Sequence, residues 1–291
     1  MITEVIKLID LHLHSTCSDG QDTPEELVKI AADAGVSFMA LTDHDTIKGL
    51  SRAKNEAERL GIGFISGIEI SVQGGNELHI LGYGVDSESE ILHQFYENNI
   101  QHRINRRDRL IELFNKSGIP ITLEKIRQCN NGKSSGRSHF AKTLVEMGYA
   151  QSVQDAFSKY LTTPEFYCIE RPKPTAREGI EMIKNAGGVP VLAHPYLLKL
   201  DGKPFRELLE KLISYGLRGI ECYYSKHTPE QIEYYCSIAD EYGLLRTCGS
   251  DYHGLGIKPD IILGSGRNNS LIEANVPEKE ILTALFNEMN I

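Results

Sequence analysis

Ile9 to Gly20 reads I-D-L-H-L-H-S-T-C-S-D-G. Ile9, Leu11 and Leu13 alternate with Asp10, His12 and His14, the two-residue period of a strand with one buried face. The same alternation puts His12 and His14 on one side of the extended chain, close enough to share a metal ion. Asp19-Gly20 then turns the chain and offers a carboxylate a few residues past the strand end. An isolated H-x-H is most simply a pair of polar-face histidines before a loop. Here more ligand-type residues recur at later strand ends, and the metal reading prevails.

Strands and helices alternate outward from this stretch. Thr23-Pro24-Glu25-Glu26 is an N-cap, a first-turn proline and a capping box, predicting a helix to Ala34 that Gly35 ends. Phe38 to Leu41 is a short apolar strand before Thr42-Asp43-His44-Asp45. A helix over 50–60 closes at Gly61, Gly63 to Ile68 forms a strand ending at Glu69, and Leu78 to Gly84 carries His79 near its start. Thr175 to Glu178 is another capping box, and its helix closes at Ala186-Gly187-Gly188. Val189 to Ala193 is a strand ending in His194-Pro195. Phe205 to Tyr215 is helical and Leu217 to Tyr223 extended; Thr228-Pro229-Glu230-Gln231 caps a helix to Tyr242. Leu244 to Cys248 leads into Gly249-Ser250-Asp251-Tyr252-His253, Ile261 to Leu263 reads as a last strand, and a terminal helix starts at Pro277.

That order predicts an α/β protein with a mostly parallel sheet. A barrel is favoured over an open sheet because His12/His14, Asp43/His44, Glu69, His194 and Asp251/His253 fall at or near the C-terminal ends of many successive strands. Barrels build their sites from several strands at that face, whereas an open sheet concentrates them at one switch point. Between about 99 and 163 the alternation gives way to helical patterns alone, such as Ser138 to Met147 and Val153 to Leu161. The expected organisation is a barrel domain over 1–98 and 164–291, with 99–163 a helical insertion acting as a lid or substrate-binding subdomain.

Composition limits the chemistry. The 291 residues are 24% charged and 41% hydrophobic, ordinary for a soluble globular protein, with no run apolar enough to span a membrane. The N-terminus shows no signal-peptide pattern, and the six cysteines (Cys17, Cys129, Cys168, Cys222, Cys236, Cys248) form no C-x-x-C pair. Reduced cytoplasmic thiols are the expectation. The net charge of −9 argues against a stable DNA partner. Residues 101–145 nevertheless hold ten Lys/Arg, including Arg106, Arg109, Lys133 and Arg137, against Asp108, Glu112 and Glu124. A basic segment on an acidic body suggests an anion-facing module, although a solvated helical face explains most of its individual residues.

His12, His14, His44, His79, His194 and His253 with Asp19, Glu69 and Asp251 form a nitrogen and oxygen donor set without thiolates. It suits manganese, iron or zinc at a catalytic rather than a structural site. Nine candidates exceed what one ion needs, so two or three divalent ions are expected, with manganese favoured over iron or zinc. Such a cluster can hold a phosphoryl group and lower the pKa of a water.

The ordered motifs H-x-H…D, T-D-H-D, G-I-E, E-L-H-I-L-G-Y, L-A-H-P and G-S-D-x-H resemble the PHP (polymerase and histidinol phosphatase) family of metal-dependent phosphoesterases. The resemblance implies a distorted (β/α)7 TIM-like barrel. It also implies one ion on His12, His14, Glu69 and Asp251, a second shared by Glu69 with His79 and His194, and a third on Asp19, His44 and His253. Asp43 would orient its neighbours rather than ligate. The helical insertion between H-I-L-G-Y and A-H-P resembles the branch of 3′,5′-nucleotide bisphosphate phosphatases and 5′-to-3′ exoribonucleases. Its G-R-P-H-x-A motif stands here as Gly136-Arg137-Ser138-His139-Phe140-Ala141, with serine for proline. Leu161 to Phe166 lacks the glycine-rich stretch usual there.

In that branch Arg137 would grip a phosphate bidentately and His139 would donate a second bond or a proton. His227 would either face the phosphate or sit at a helix start on the surface. The resemblance therefore implies an enzyme that hydrolyses phosphate esters of nucleotides or 5′ ends of short RNA with a metal-activated water. The alternatives are a histidinol-phosphate-type phosphatase, disfavoured by the basic insertion, and a non-enzymatic metal-binding domain, disfavoured by the full ligand set.

Overall fold

The structure is a computed structural model describing residues 8–74, 77–129, 136–167, 169 and 172–290. The N-terminal stretch 1–7, Lys133 and Cys168 lie outside the described residues. The chain divides into two compact units, residues 1–96 with 173–291, and residues 97–172.

In chain order the first unit opens with β1 (Ile9–Asp10), α1 (Pro24–Asp33), β2 (Phe38–Leu41), α2 (Leu50–Leu60), β3 (Gly63–Ser71) and β4 (His79–Tyr83). Then come α3 (Glu90–Lys116), α4 (Leu123–Cys129), α5 (Arg137–Glu146), α6 (Val153–Ala156) and α7 (Pro164–Tyr167). The first unit resumes with α8 (Ala176–Asn185), β5 (Val189–Leu192), α9 (Gly202–Tyr215), β6 (Gly219–Tyr224), α10 (Pro229–Glu241), β7 (Leu245–Gly249), α11 (Ser270–Glu273) and α12 (Glu278–Met289). Capping boxes start α1 at Thr23/Glu26, α8 at Thr175/Glu178 and α10 at Thr228/Gln231, each side chain taking the backbone N–H that the helix end leaves unpaired.

The seven strands follow one another in sheet order β1 to β7. The ends of the sheet meet: Leu11 N–H donates to Cys248 O, Asp251 N–H to His12 O and His14 N–H to Tyr252 O. Leu13 bridges Tyr252 in parallel, and the sheet nearly closes into the distorted TIM-like barrel of seven strands. It is not parallel throughout, because β4 runs antiparallel to both β3 and β5. Residues 72–78 are too few to carry a crossover helix, which a parallel return would need. β1 is likewise short, and His12 to His14 continue it through single contacts rather than a ladder.

Two expectations fail locally. Ile261 to Leu263 is no strand. Ile262 makes one antiparallel bridge to Gly266, and Gly264 and Gly266 turn the chain with φ of 78° and 74°. Burial of Ile261 and Leu263 around an exposed Ile262 imitates a strand's alternation. The helix read over Val153 to Leu161 is α6 followed by a π-helical turn at Phe157–Leu161.

The barrel core is apolar and continuous, from Leu11 and Leu13 through Ile68, Ile70 and Ile80 to Val191, Ile220 and Cys248. The second unit has its own core, including Phe114, Ile126, Phe140, Leu144 and Phe166. No helix of the described residues is long and apolar enough to cross a membrane. The described cysteines, Cys17, Cys129, Cys222, Cys236 and Cys248, are free thiols.

Candidate metal centre

One carboxylate organises the site. Glu69, near the end of β3, is fully buried. Its Oε1 lies 2.8 Å from His79 Nδ1 and 2.9 Å from His194 Nε2. Its Oε2 lies 3.2 Å from His12 Nε2, 3.2 Å from His14 Nε2 and 3.1 Å from His44 Nδ1. Five imidazoles thus converge on one side chain. The reversed β4 explains how His79 joins them: its first residue pairs with Ser71, the last residue of β3. Asp19 lies 3.4 Å from His253 Nε2 and 3.8 Å from both His14 Nδ1 and His44 Nε2. Asp251 Oδ1 lies 3.4 Å from His14 Nε2 and from His253 Nδ1. All nine candidate ligands are therefore brought together.

His194 and Asp251 lie two residues past the ends of β5 and β7 with φ of 27° and 58°, a region that residues other than glycine seldom occupy. Both turn off their strands at the site, where such strain concentrates.

Hydrogen bonds to groups that can only accept fix which imidazole nitrogen carries the proton. His12 Nδ1–H donates to Glu221 Oε1 at 2.9 Å, and His253 Nδ1–H donates to the Asp251 carbonyl at 2.9 Å. With Nδ1 held by these acceptors, Nε2 is the nitrogen each ring would offer a cation; His12 Nε2 lies 3.2 Å from Glu69 Oε2, and against the ring's burial Glu221 and Glu69 hold its pKa well above the usual value. Glu221 Oε2 also accepts the His194 backbone N–H at 2.7 Å. Asp43 holds the loop after His14, accepting from Ser15 N–H at 2.7 Å, Ser15 Oγ–H at 2.7 Å and Ser18 Oγ–H at 2.6 Å. The buried Asp10 accepts from the N–H groups of Ser250 and Gly264, anchoring the segment that bears Asp251. Glu221, Tyr224 and Lys258 were not singled out in the sequence, although a carboxylate inside the buried run G-I-E-C-Y-Y of β6 is a signal, since buried acids are rarely unpaired.

These residues fit divalent ions. The ring nitrogens His14 Nδ1 and His194 Nδ1 are buried without a hydrogen-bond partner, and His14 Nε2 and His44 Nδ1 approach Glu69 Oε2 without making a well-formed hydrogen bond, which costs free energy unless another group fills the role. Four sets have donor atoms within 4.8 Å of one another: His14/Asp19/His44/His253, His12/His14/Asp251, His12/Glu69/His194 and His44/Glu69/His79. The electrostatics agree. Burial by itself would raise the Glu69 carboxyl, but the imidazoles of His44, His12 and His79 hold it well below the usual range. Asp251 is likewise held low against its burial by His14, His12 and Lys258.

The other expected residues divide. His227 is buried on β6's far turn, where its Nδ1–H donates to Cys222 O at 2.8 Å. Burial pushes its pKa down to about 4, and the proton on Nδ1 leaves Nε2 a lone pair. The neutral ring is an acceptor, not a donor to phosphate. It is also not at the surface, as a helix-start position would have implied. His139 is the opposite case. Its Nδ1 accepts the Gly136 N–H at 2.9 Å, so its proton is on Nε2, the form that donates to an anion. Within the same unit the Arg137 guanidinium lies 5.7 Å from the Phe166 ring centroid and that of Arg106 lies 5.0 Å from it.

The PHP domain model matches residues 10–170. The chain is 33% identical over 254 residues to the 5′-3′ exoribonuclease Rnm of Escherichia coli K12, covering 86% of this chain and 87% of that one. It is 34% identical over 254 residues to the 3′,5′-nucleoside bisphosphate phosphatase of Chromobacterium violaceum, covering 85% and 88%. A solved structure from Bifidobacterium adolescentis, assigned to the metal-dependent phosphoesterases, superposes with a TM-score of 0.75 at 30% identity over 96% of both chains. The chain belongs to the PHP domain family. It is a hydrolytic enzyme, a metal-dependent phosphoesterase.

Proposed function

We propose that the protein hydrolyses phosphate esters of nucleotides, releasing the 3′-phosphate of nucleoside 3′,5′-bisphosphates and removing mononucleotides from the 5′ ends of short RNA. The clustering of nine ligand-type side chains, Glu69 at their centre, carries the phosphoesterase reading. The two relatives named for these activities support the substrate class. His12, His14, Asp19, His44, Glu69, His79, His194, Asp251 and His253 would hold two or three divalent ions, Mn²⁺ before Fe²⁺ or Zn²⁺. When bound, such ions lower the pKa of a water and neutralise charge on the phosphoryl oxygens. The helical unit supplies the second grip: Arg137 binds a neighbouring phosphate bidentately and His139 donates Nε2–H to it. The free thiols suit a cytoplasmic setting.

The test is a time course with 5′-phosphorylated oligoribonucleotides and adenosine 3′,5′-bisphosphate in Mn²⁺, resolved by length and by released phosphate. Mononucleotides appear first, one at a time. Internal fragments preceding them, or no turnover of either substrate, would refute the assignment. Arg137→Ala should lower kcat/KM on the bisphosphate by about 10- to 100-fold, the scale of a lost charge-assisted hydrogen bond. Metal content stays normal, and a generic aryl phosphate, which lacks the second phosphate, is affected less. Equal losses on both substrates would show that Arg137 supports the site in general and grips no second phosphate.

A further inference from the structure

Asp251 is held through one of its two carboxylate oxygens. Tyr224 Oη–H donates to Asp251 Oδ2 at 2.8 Å. Lys258 Nζ donates to the same oxygen at 2.8 Å and to the Asp251 backbone carbonyl at 3.3 Å. The other oxygen, Oδ1, is the one that faces imidazoles, 3.4 Å from His14 Nε2 and 3.8 Å from His12 Nε2. Tyr224 ends β6 fully buried, with no freedom to swing away. Lys258 reaches back from the loop after β7 and keeps about a quarter of its side chain in solvent.

We propose that Lys258 and Tyr224 are positioning residues that saturate Asp251 Oδ2 and present the carboxylate to a metal ion through Oδ1 alone. The proposal rests on the reading of Asp251 as a metal ligand. A carboxylate can bind a cation through one oxygen or two, and its outer hydrogen bonds decide which geometry is preorganised. Asp251 needs that help, because its backbone is already turned into a left-handed conformation and its ring neighbours offer Oδ2 nothing. Tyr224 supplies a rigid neutral donor and Lys258 a charged one. The ammonium also satisfies the backbone carbonyl that accepts from His253 Nδ1–H, so one lysine steadies two neighbouring candidate ligands.

Charge and position make opposite demands on metal affinity, and that gives the experiment its resolving power. A positive charge beside a metal ligand repels the incoming cation, so removing a spectator lysine would tighten binding. Removing a positioning lysine loosens it. The measurement is a titration of chelator-stripped full-length protein with Mn²⁺, followed by electron paramagnetic resonance, and with Co²⁺, followed by visible absorption.

Lys258→Met should weaken one class of sites by roughly 10- to 100-fold, the usual cost of losing an outer-shell partner, and change the Co²⁺ ligand-field bands. Tyr224→Phe should weaken the same class without altering the charge, and Lys258→Arg should restore most of the affinity lost in Lys258→Met. Unchanged or tighter binding in Lys258→Met overturns the proposal while leaving Asp251 a ligand. Asp251→Asn separates the two ideas: an isotherm like that of the unmodified protein would remove Asp251 from the ligand set, and the positioning role with it.

Discussion

Glu69→Gln is expected to lower kcat/KM on phosphate esters by on the order of 10³- to 10⁴-fold, the several kcal/mol that metal stabilisation of a phosphoryl transition state is worth. The substitution keeps the shape and removes the charge. Glu69 Oε1 faces His79 and His194, and Oε2 faces His12, His14 and His44, so both oxygens are committed. An amide offers one oxygen and one NH₂. Whichever way it points, an NH₂ group then meets imidazole nitrogens that should ligate cations, and the element linking the ligand sets is lost. Elemental analysis of the variant should show a deficit of bound metal, with circular dichroism unchanged because glutamine fills the same volume as the glutamate it replaces. Chelation of the unmodified protein should abolish turnover and added Mn²⁺ restore it. Full activity in a preparation shown to be metal-free would defeat the metal reading outright.

The candidate ligands were legible in the sequence because most of them punctuate strand ends, where a polar residue has no packing reason to be. His79 shows where that logic stops. It lies at the start of its strand, and joins the others only because the short connection of residues 72–78 reverses β4 against β3. Loop length alone carried that information. Glu221 was hidden for a different reason. It acts through His12 and His194 rather than on the reacting groups, and its neighbours in G-I-E-C-Y-Y read as an uninterrupted buried strand. Lys258 gave no signal at all, since its contact with Asp251 depends on the course of an irregular loop. His227 stood out in the sequence only as a residue either facing a phosphate or at a surface helix start; its protonation turns on the Cys222 carbonyl, which no sequence pattern shows. The false strand at Ile261 to Leu263 arose because two positive-φ glycines can bury alternate residues without any ladder.

Glu221→Ala should be the most damaging change outside the ligand set. Oε1 accepts His12 Nδ1–H and Oε2 accepts the His194 backbone N–H, joining two expected ligands far apart in the sequence. Alanine leaves both donors buried without an acceptor, at a cost of about 1–3 kcal/mol for each. The pair is closely packed with the Glu221 side chain in place, since a Cβ built on Gly249 would stand 2.2 Å from His12 Cβ and 2.9 Å from Glu221 Oε1. His12 also loses the bond that keeps its proton on Nδ1, and a ring free to carry it on Nε2 presents a hydrogen to the cation instead of a lone pair. Metal affinity should therefore fall by roughly 10- to 100-fold in addition to the loss of stability.

Glu221→Gln separates the two effects. Its remaining carbonyl can accept from one donor, while its NH₂ confronts the other, so stability should recover in part and metal binding less. Urea denaturation of the metal-free protein reads the first quantity and Mn²⁺ titration the second. If Glu221→Ala bound Mn²⁺ as tightly as the unmodified protein, His12 would not depend on Glu221 for its orientation.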